Sequence, residues 1–331
     1  MRVTRSVLVT AMLLLILLGQ GCAPLCVDPQ NGTTVKYVVD PTWPEKPDRF
    51  TWGQTPGVTV DNQDHIYVFT RSDPAVQVYE TDGTLVRAWN VADANGAHFI
   101  RIGPAGNVWT ANIRSHTIRK YSPEGKLLLT LGEPGRAGAD RSHFDRPTDM
   151  VVLPSGDIVV SDGYGNRRIV HFDATGKYVN EWGEAGTQPG QFALPHAIVA
   201  DSQGRLYVAD RENARIQVFD TKGKLLAVWD DLITPWGLWM SKDDEIWVCG
   251  SSARKKEGTG EWDVLPPPDQ LVMKLNRKGT VLMRIPLLMT TTPPGKPGEL
   301  NWVHGIAFDS RGNLYLTDIQ GHRAQKFVCE P

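Results

Sequence analysis

Short apolar segments with a regular spacing fill the chain from Thr34 onward. In one clear copy, a turn at Asp201–Gly204 separates one apolar run from a second run, Leu206 to Ala209. A third segment begins at Arg215 after a polar corner, and a fourth follows Gly223. These segments are rich in β-branched residues, alternate in polarity and are too short for helices. The pattern therefore predicts four short β-strands in each copy.

The first turn of this unit recurs along the chain. It is found at Asp61–Asp64, Gly103–Gly106, Leu153–Gly156, Asp201–Gly204, Ser241–Asp244 and Asp309–Gly312. Copies that lie about 40 to 70 residues apart and carry four short strands are typical of propeller blades. The sequence therefore predicts an all-β fold, a six-bladed β-propeller.

The last copy has one strand fewer than the others, because the chain ends soon after its third apolar segment, Arg323 to Cys329. A sheet with a missing strand would leave an open, aggregation-prone edge in the ring. The apolar segment Thr34 to Val39 precedes the first copy and can fill this place. We expect the two chain ends to close one blade, and we assign residues 34–331 to a single propeller domain.

The N-terminus does not share the repeat pattern. Two arginines precede an apolar run from Val7 to Leu18, which is too short to span a bilayer and is typical of a signal peptide. Cys22 follows a small residue shortly after this run, as in bacterial lipoprotein signals, although Gly19 stands where those signals carry Leu. We predict a lipoprotein-type signal peptide over residues 1–22 and a chain that is exported and anchored to a bacterial membrane through lipid on Cys22. Ordinary secretion is the alternative.

Charge and cysteine content exclude some classes of function. The formal net charge of −2 gives no reason to expect nucleic acid as a partner, since nucleic-acid-binding proteins favour a basic face. The remaining cysteines, Cys26, Cys249 and Cys329, have no spacing typical of a disulfide framework or a metal site.

One position per blade, five residues before each turn, is expected at the mouth of the innermost strand. This column contains Pro56, His98, Thr148, His196, Trp236 and His304. Histidine occupies every second blade, so three imidazoles are expected to converge on the ring axis. A lone channel histidine is more often a hydrogen-bonded lining residue, but three together form a ligand set of catalytic zinc. We predict that His98, His196 and His304 bind zinc or a similar divalent metal.

Two arginines and a tyrosine follow the second strands of other blades. Arg71 and Arg211 occupy equivalent positions in opposite blades, and Tyr164 lies one position further along in blade three. Arginine forks bind carboxylates, so these residues indicate an anionic substrate, and a tyrosine near a metal and arginine can act as a base. The alternatives are an ion pair of Arg211 with Asp210 or Glu212 and a packed corner for Tyr164.

Two long insertions are expected on the face where this column opens. They are Ser251 to Gln270 in blade five and the proline-rich segment Leu288 to Leu300 that follows it. Long loops on one face of a rigid scaffold are a common place for binding. We expect them to cover the mouth of the site.

The copies resemble NHL repeats, and the whole propeller resembles the catalytic core of peptidyl-α-hydroxyglycine α-amidating lyases. The resemblance extends from Trp52 to Phe327 and is weak in blade five. It is carried by His143 to Asp149, Val160 to Tyr164, Trp182 to Glu184, Pro189 to Phe192, Leu194 to His196 and Val208 to Gln217.

This resemblance implies a function for the candidate residues. Members of the family bind catalytic zinc through three histidines and use one tyrosine and two arginines, which fall on His98, His196, His304, Tyr164, Arg71 and Arg211. The implied reaction cleaves the N–C bond of a carbinolamide and releases an amide and glyoxylate. The implied partner is a small or peptide-like substrate with a carboxylate, and a separate hydroxylase would have to supply it.

The sequence also departs from the family. The resemblance implies a calcium site with the carbonyls of Val58 and Ile100, but Gly305 stands where the family has the calcium-binding Asp, which weakens the prediction of calcium. Gly165 and Tyr207 stand where the family has cysteines of two disulfides.

Two other classes of function are compatible with the sequence. NHL propellers commonly serve as protein-binding scaffolds, in which case the histidines would have no catalytic role. A six-bladed lactonase or sugar-acid hydrolase is the rival enzyme, but such enzymes hold calcium with acidic and amide ligands, which the histidine column does not provide.

Overall fold

The computed structural model describes residues 25–27, 34–263, 267–292 and 294–330. Six antiparallel sheets follow one another as the blades of a β-propeller, which confirms the predicted fold. The proposed signal peptide and Cys22 lie outside the described residues. Within the described part of the chain, no helix is long and apolar enough to cross a membrane.

Two strands precede the first blade, β1 (Leu25–Val27) and β2 (Thr34–Asp40). Blades one to three are four-stranded meanders. Their strands are β3 (Gly57–Val60), β4 (Ile66–Phe69), β5 (Val76–Tyr79) and β6 (Leu85–Trp89); β7 (Ala97–Ile102), β8 (Val108–Asn112), β9 (Thr117–Tyr121) and β10 (Leu127–Leu131); β11 (Asp149–Val152), β12 (Ile158–Asp162), β13 (Arg168–Phe172) and β14 (Tyr178–Trp182).

Blades four and five repeat this arrangement, and blade six uses both ends of the chain. Their strands are β15 (Pro195–Ala200), β16 (Leu206–Asp210), β17 (Arg215–Phe219) and β18 (Leu225–Asp230); β19 (Thr234–Met240), β20 (Ile246–Ser251), β21 (Leu271–Leu275) and β22 (Val281–Pro286); β25 (Val303–Phe308), β26 (Leu314–Asp318) and β27 (Arg323–Glu330). A parallel pair, β23 (Leu288–Met289) with β24 (Glu299–Leu300), connects blades five and six. Short 3₁₀ turns cover Ala94–Gly96 and Arg211–Asn213.

Burial explains why the inner strands are so apolar. The second strand of every blade is buried along its whole length, as in β12, whereas an outer strand such as β14 alternates between exposed and half-buried positions. Apolar side chains of adjacent blades form a shared cluster at each junction; Tyr79 of blade one, for example, packs with Ala307 and Tyr315 of blade six. Each blade is therefore stabilised by its neighbours as well as by its own sheet.

The chain ends close the ring as the sequence predicts. Strand β2 pairs antiparallel with β27, with Tyr37 opposite Cys329 and Asp40 opposite Lys326. Strand β1 then pairs with β2 and makes this blade five-stranded, an addition that the sequence analysis did not predict. Since β27 also pairs with β26, β2 covers an edge that would otherwise expose unpaired backbone groups.

Deleting residues 34–39 should open the ring, because it removes the strand that pairs with β27 and exposes the apolar junction beneath it. We expect a clear fall in the thermal unfolding midpoint and an increased tendency to aggregate. Deleting residues 25–27 is the matched control, since it removes only the outermost strand and should shift the midpoint much less. A deletion of 34–39 with an unchanged midpoint would contradict this account of ring closure.

Candidate metal centre

The three histidines of the predicted column meet on the propeller axis. His98, His196 and His304 begin the inner strands of blades two, four and six and are 0%, 0% and 2% exposed. Their ring centroids are 4.8, 4.8 and 4.9 Å apart, which is a nearly equilateral triangle. One ring nitrogen from each lies within 4.8 Å of the others. Among the described residues, this is the one group of three or more His, Cys, Asp or Glu side chains so arranged.

The other three blades orient these imidazoles through their backbone. Nδ1 of each histidine donates to the carbonyl at the same column position of the next blade, from His98 to Thr148 (2.7 Å), from His196 to Trp236 (2.6 Å) and from His304 to Pro56 (2.7 Å). Because a carbonyl oxygen can only accept, each Nδ1 carries the hydrogen and each Nε2 keeps its lone pair. A fixed tautomer of this kind is typical of metal-binding histidines.

Burial keeps the three rings neutral. It lowers the pKa of His98 and His196 well below the usual range, and the neighbouring imidazoles and the guanidinium groups of Arg71 and Arg211 act in the same direction. Burial also lowers the pKa of His304 to about 3, although its hydrogen bond to the Pro56 carbonyl raises it. Neutral imidazoles bind a cation without first losing a proton.

The predicted tyrosine lies directly beside the histidines. The hydroxyl oxygen of Tyr164 is 3.2 Å from Nε2 of His98 and 3.3 Å from Nε2 of His196. Its turn requires Gly163, because a Cβ at that position would lie 2.1 Å from the carbonyl oxygen of Pro195. The backbone of blade three therefore approaches blade four closely enough for Tyr164 to reach the axis.

Both predicted arginines line the same cavity of about 160 Å³. Arg71 donates through Nε to the Ala97 carbonyl (3.0 Å) and through Nη1 to the Gln54 side chain, contacts that hold it at the mouth. The cavity is completed by residues from several blades; its lining is Gln54, Arg71, His98, Tyr164, Arg211, Trp236, Trp302, His304 and Ile319.

Arg211 is held on three sides but not fully satisfied. Its guanidinium carbon is 4.8 Å from the Trp236 ring centroid and 5.8 Å from that of Tyr164, and its Nη2 bonds Glu212 at 3.0 Å. Of the two alternative ion pairs expected for Arg211, the one with Glu212 is formed, whereas the Asp210 carboxylate binds Nε of Arg215 at 2.9 Å instead. Nε of Arg211 is buried with no hydrogen-bond partner in the described structure, a costly arrangement that a bound anion would relieve.

Several residues of the centre escaped the sequence analysis. Gln54 and Trp302 each lie two residues before the column position of their blade, and Ile319 directly follows the second strand of blade six, as Arg211 does in blade four. Phe99 packs beneath the histidines, with its ring centroid 4.9 Å from that of His304 and 5.1 Å from that of His98. Trp236 belongs to the column, so its position was predicted, but the hydrogen bond that its backbone carbonyl accepts from His196 was not.

The expected insertions contribute to this face in part. Trp302, which follows the Leu288 to Leu300 segment, lines the cavity, and Gln270 at the end of the blade-five insertion accepts a hydrogen bond from its backbone nitrogen (3.0 Å). Residues between Lys255 and Trp262 of the blade-five insertion border a separate cleft of about 640 Å³ beside Glu212. Among the described residues of the two insertions, none lines the cavity over the histidines; Trp302 lies just after the second insertion.

Calcium does not fit the channel at the position that the resemblance implies. A Cβ on Gly305 would lie 2.5 Å from Thr317 Oγ1 and 2.9 Å from the Pro56 carbonyl, so the site that lacks the Asp also lacks room for one. Val58 and Ile100 are buried inner-strand residues, and each could offer such a site only its backbone carbonyl. A site with backbone carbonyls alone lacks the anionic oxygen that calcium prefers.

Comparison with known proteins identifies the repeat family and the type of fold. The NHL repeat family matches residues 144–172 and 192–219, in blades three and four. Among solved structures, the chain superposes on a streptogramin B lyase with a TM-score of 0.58 (15% identity, 89% of this chain, 97% of that one). It superposes on a gluconolactonase from Xanthomonas campestris with a TM-score of 0.61 (14% identity, 93% and 96%). At these identities the similarity concerns the propeller fold alone.

Three curated proteins are similar to this chain in sequence over about 200 residues. Human NHL repeat-containing protein 3 is 37% identical over 217 residues, covering 61% of this chain and 62% of that protein. Rat peptidylglycine alpha-amidating monooxygenase is 36% identical over 205 residues (52% and 21%). A Caenorhabditis elegans protein named "Probable peptidyl-alpha-hydroxyglycine alpha-amidating lyase pgal-1" is 33% identical over 194 residues (50% and 55%).

These matches confirm the resemblance stated from the sequence. The chain contains NHL repeats and is a homologue of proteins named as peptidyl-α-hydroxyglycine α-amidating lyases. It spans less than two thirds of the length of each of these relatives.

Replacing His304 with Ala should abolish tight metal binding, because two imidazoles cannot supply the three-nitrogen set. The fold should survive, since the blades are held by their own sheets and junctions. The measurement is metal content per chain after purification without chelators, together with the unfolding midpoint. His143→Ala is the control, because His143 binds Glu133 and Asp140 in an outer loop and should leave metal content unchanged. Equal metal content in both variants would contradict the proposed ligand set.

Proposed function

We propose that the chain is a zinc-dependent lyase that cleaves the N–C bond of an α-hydroxyglycine-type carbinolamide to give an amide and glyoxylate. One observation carries the proposal: three neutral imidazoles meet on the propeller axis, and the cavity lined by two of them is also lined by Tyr164, Arg71 and Arg211. The homologues named as amidating lyases support the same reaction class.

The donor set fits zinc. Three imidazole nitrogens with a fixed tautomer are a common catalytic zinc set, which leaves a fourth position for substrate. The residues that would hold the ion are His98, His196 and His304, and the carbonyls of blades one, three and five keep them in place. When bound, zinc supplies a Lewis acid that lowers the pKa of a substrate hydroxyl.

The arginines define the substrate class. A carboxylate on the substrate would be bound by Arg71 and Arg211, and the buried Nε of Arg211 would gain the partner that it lacks. Trp236 and Glu212 hold the Arg211 guanidinium from two sides, and Gln54 holds that of Arg71, so little side-chain entropy is lost on binding. The carboxylate of the glycine-derived half of the substrate meets this requirement.

Tyr164 is the proton-transfer group of the proposal. Its oxygen, as phenolate, takes the proton of the substrate hydroxyl; the C–O bond becomes C=O and the C–N bond breaks with its electrons on nitrogen. The Tyr164 hydroxyl then returns the proton to that nitrogen, which completes the amide and leaves glyoxylate. Arg71 and Arg211 bring positive charge to the same cavity, and the guanidinium carbon of Arg211 lies 5.8 Å from the Tyr164 ring centroid.

The setting of the enzyme follows from the sequence. We place the chain outside the cytoplasm on the basis of its signal-type N-terminus, with Cys22 as its lipid anchor in a bacterial envelope. A separate hydroxylase supplies the substrate in this proposal. The alternative of a binding scaffold is kept as an outcome of the test, because human NHL repeat-containing protein 3 carries a name that states no reaction.

The test is release of glyoxylate from an α-hydroxyglycine-capped peptide by the zinc-loaded chain. We expect turnover by the wild type and a loss of about 10²–10⁴-fold in kcat for Tyr164→Phe with zinc retained, since the proton-transfer group alone is removed. Tyr178→Phe is the control, because Tyr178 lies on the outer strand of the same blade. A zinc-loaded wild type that binds the peptide and releases no glyoxylate would leave a binding protein and overturn the lyase assignment.

Replacing Arg71 with Ala should raise KM as well as lower kcat, because it removes both carboxylate binding and charge beside Tyr164. The size of the KM effect is expected to be about tenfold or more, as for the loss of a charged hydrogen bond. Steady-state kinetics with the same peptide measure both constants, and the amide-capped peptide without the carboxylate serves as the control ligand. A variant with unchanged KM would show that Arg71 does not bind the substrate.

A further inference from the structure

Beneath the histidines, an arginine side chain crosses the channel. Arg101, on the inner strand of blade two, donates through Nη1 to the carbonyl of Leu238 in blade five at 3.0 Å. Its Nε and Nη2 bind the two carboxylate oxygens of Asp149 in blade three at 3.0 and 2.5 Å. Its guanidinium carbon lies 5.1 Å from the ring centroid of Phe99, which packs against the histidines from below. The two charged side chains are 10% and 0% exposed.

Every contact of this ion pair is made to a strand of the metal centre. Arg101 follows His98 by three residues on β7, and Asp149 directly follows Thr148, whose carbonyl binds His98. Leu238 follows Trp236, whose carbonyl binds His196, by two residues on β19. The ion pair therefore connects β7, which carries His98, to the inner strands of blades three and five, whose carbonyls orient His98 and His196.

The carboxylate extends the connection to a fourth strand. Oδ2 of Asp149 accepts the backbone N–H of Ile198 at 3.0 Å, and Ile198 lies two residues after His196 on β15. Oδ1 accepts the N–H of Met150 at 2.8 Å. Asp149 thus receives four hydrogen bonds, which is the satisfaction that a fully buried carboxylate requires.

The guanidinium of Arg101 in blade two binds groups of blades three and five directly, and it is linked to blade four through the Asp149 carboxylate. Bound metal ions can tie distant segments together in this way, but here the charge belongs to the chain. The calcium site that the family resemblance implies does not fit, because position 305 has neither a carboxylate nor room for one. The positive charge that the structure places in the channel is the guanidinium of Arg101.

We propose that Arg101 is a positioning residue whose guanidinium takes the structural place of a bound cation and fixes the spacing of His98 and His196. The affinity of the site for zinc then depends on Arg101 and does not depend on calcium. This inference rests on the metal site of the proposed function and is independent of the lyase chemistry.

The test compares Arg101→Met with Arg101→Lys and with the double variant Arg101→Met/Asp149→Asn. The double variant avoids an unpaired buried carboxylate and so keeps the test possible if the single Met variant does not fold. Arg119→Met is the matched control, since Arg119 is a 5% exposed arginine of the same blade that binds the Ala92 carbonyl at 2.8 Å, away from the inner strands. Zinc affinity is measured by competition with a chromophoric chelator, and site geometry by the visible spectrum of the cobalt-substituted chain.

We expect zinc affinity to fall about 10- to 100-fold in Arg101→Met and in the double variant, with a changed cobalt spectrum, as for the loss of an outer partner of a metal ligand. Arg101→Lys keeps the charge without the fork, so it should recover part of the affinity. Arg119→Met should match the wild type in both measurements. The proposal would be overturned if Arg101→Met and the double variant both had the zinc affinity and the cobalt spectrum of the wild type.

Calcium provides the second arm. Millimolar calcium added to the zinc-loaded wild type should leave the unfolding midpoint where magnesium leaves it, because the place of the cation is taken. A rise specific to calcium would overturn the inference that Arg101 replaces a bound ion. A wild type that binds no zinc would defeat the metal site itself, whereas one that binds zinc without releasing glyoxylate would defeat only the lyase assignment.

Discussion

The hydrogen bond from each histidine Nδ1 to a backbone carbonyl of the next blade connects the fold of this protein to its chemistry. His98, His196 and His304 come from alternate blades, and the carbonyls that orient them come from the blades between. All six inner strands are therefore part of one polar network. The geometry of the site depends on a closed ring, since a gap between blades six and one would separate His304 from the Pro56 carbonyl.

Burial makes this arrangement chemically useful. Burial in the channel keeps the imidazoles neutral, so that each Nε2 has a lone pair with which it can bind a cation. The same low-dielectric surroundings strengthen the attraction between Arg71 or Arg211 and an anion. The polar groups at the mouth are only partly satisfied within the chain, as Nε of Arg211 shows. The buried carboxylate of Asp149 accepts four hydrogen bonds within the chain, whereas the guanidinium of Arg211 keeps one donor for a ligand.

The channel also shows how one structural device can replace another. A calcium site needs an anionic oxygen, and Gly305 excludes it by packing against Thr317 and the Pro56 carbonyl. The Arg101–Asp149 pair provides charge and hydrogen bonds within the chain at a neighbouring level of the channel. Such a pair needs no ion from solution, and it contributes geometry rather than net stability, because desolvation offsets most of its attraction.

Much of this protein follows from the sequence. The period of the apolar strands predicts six blades, the missing strand predicts closure by Thr34 to Val39, and a column five residues before each turn predicts that three histidines meet, because repetition converts sequence position into angle around the axis. Repetition did not predict which side chains reach the cavity from the position two residues before the column. Gln54 and Trp302 occupy that position in blades one and six, and their carbonyls accept the N–H of a residue just after the second strand, as the carbonyl of Leu194 does in blade four. The contacts of Arg101 with Asp149 and Leu238 were not predicted either, since a side chain that crosses the channel contacts residues far away in sequence. Those contacts were decided only when the ring closed and brought opposite blades within hydrogen-bonding distance.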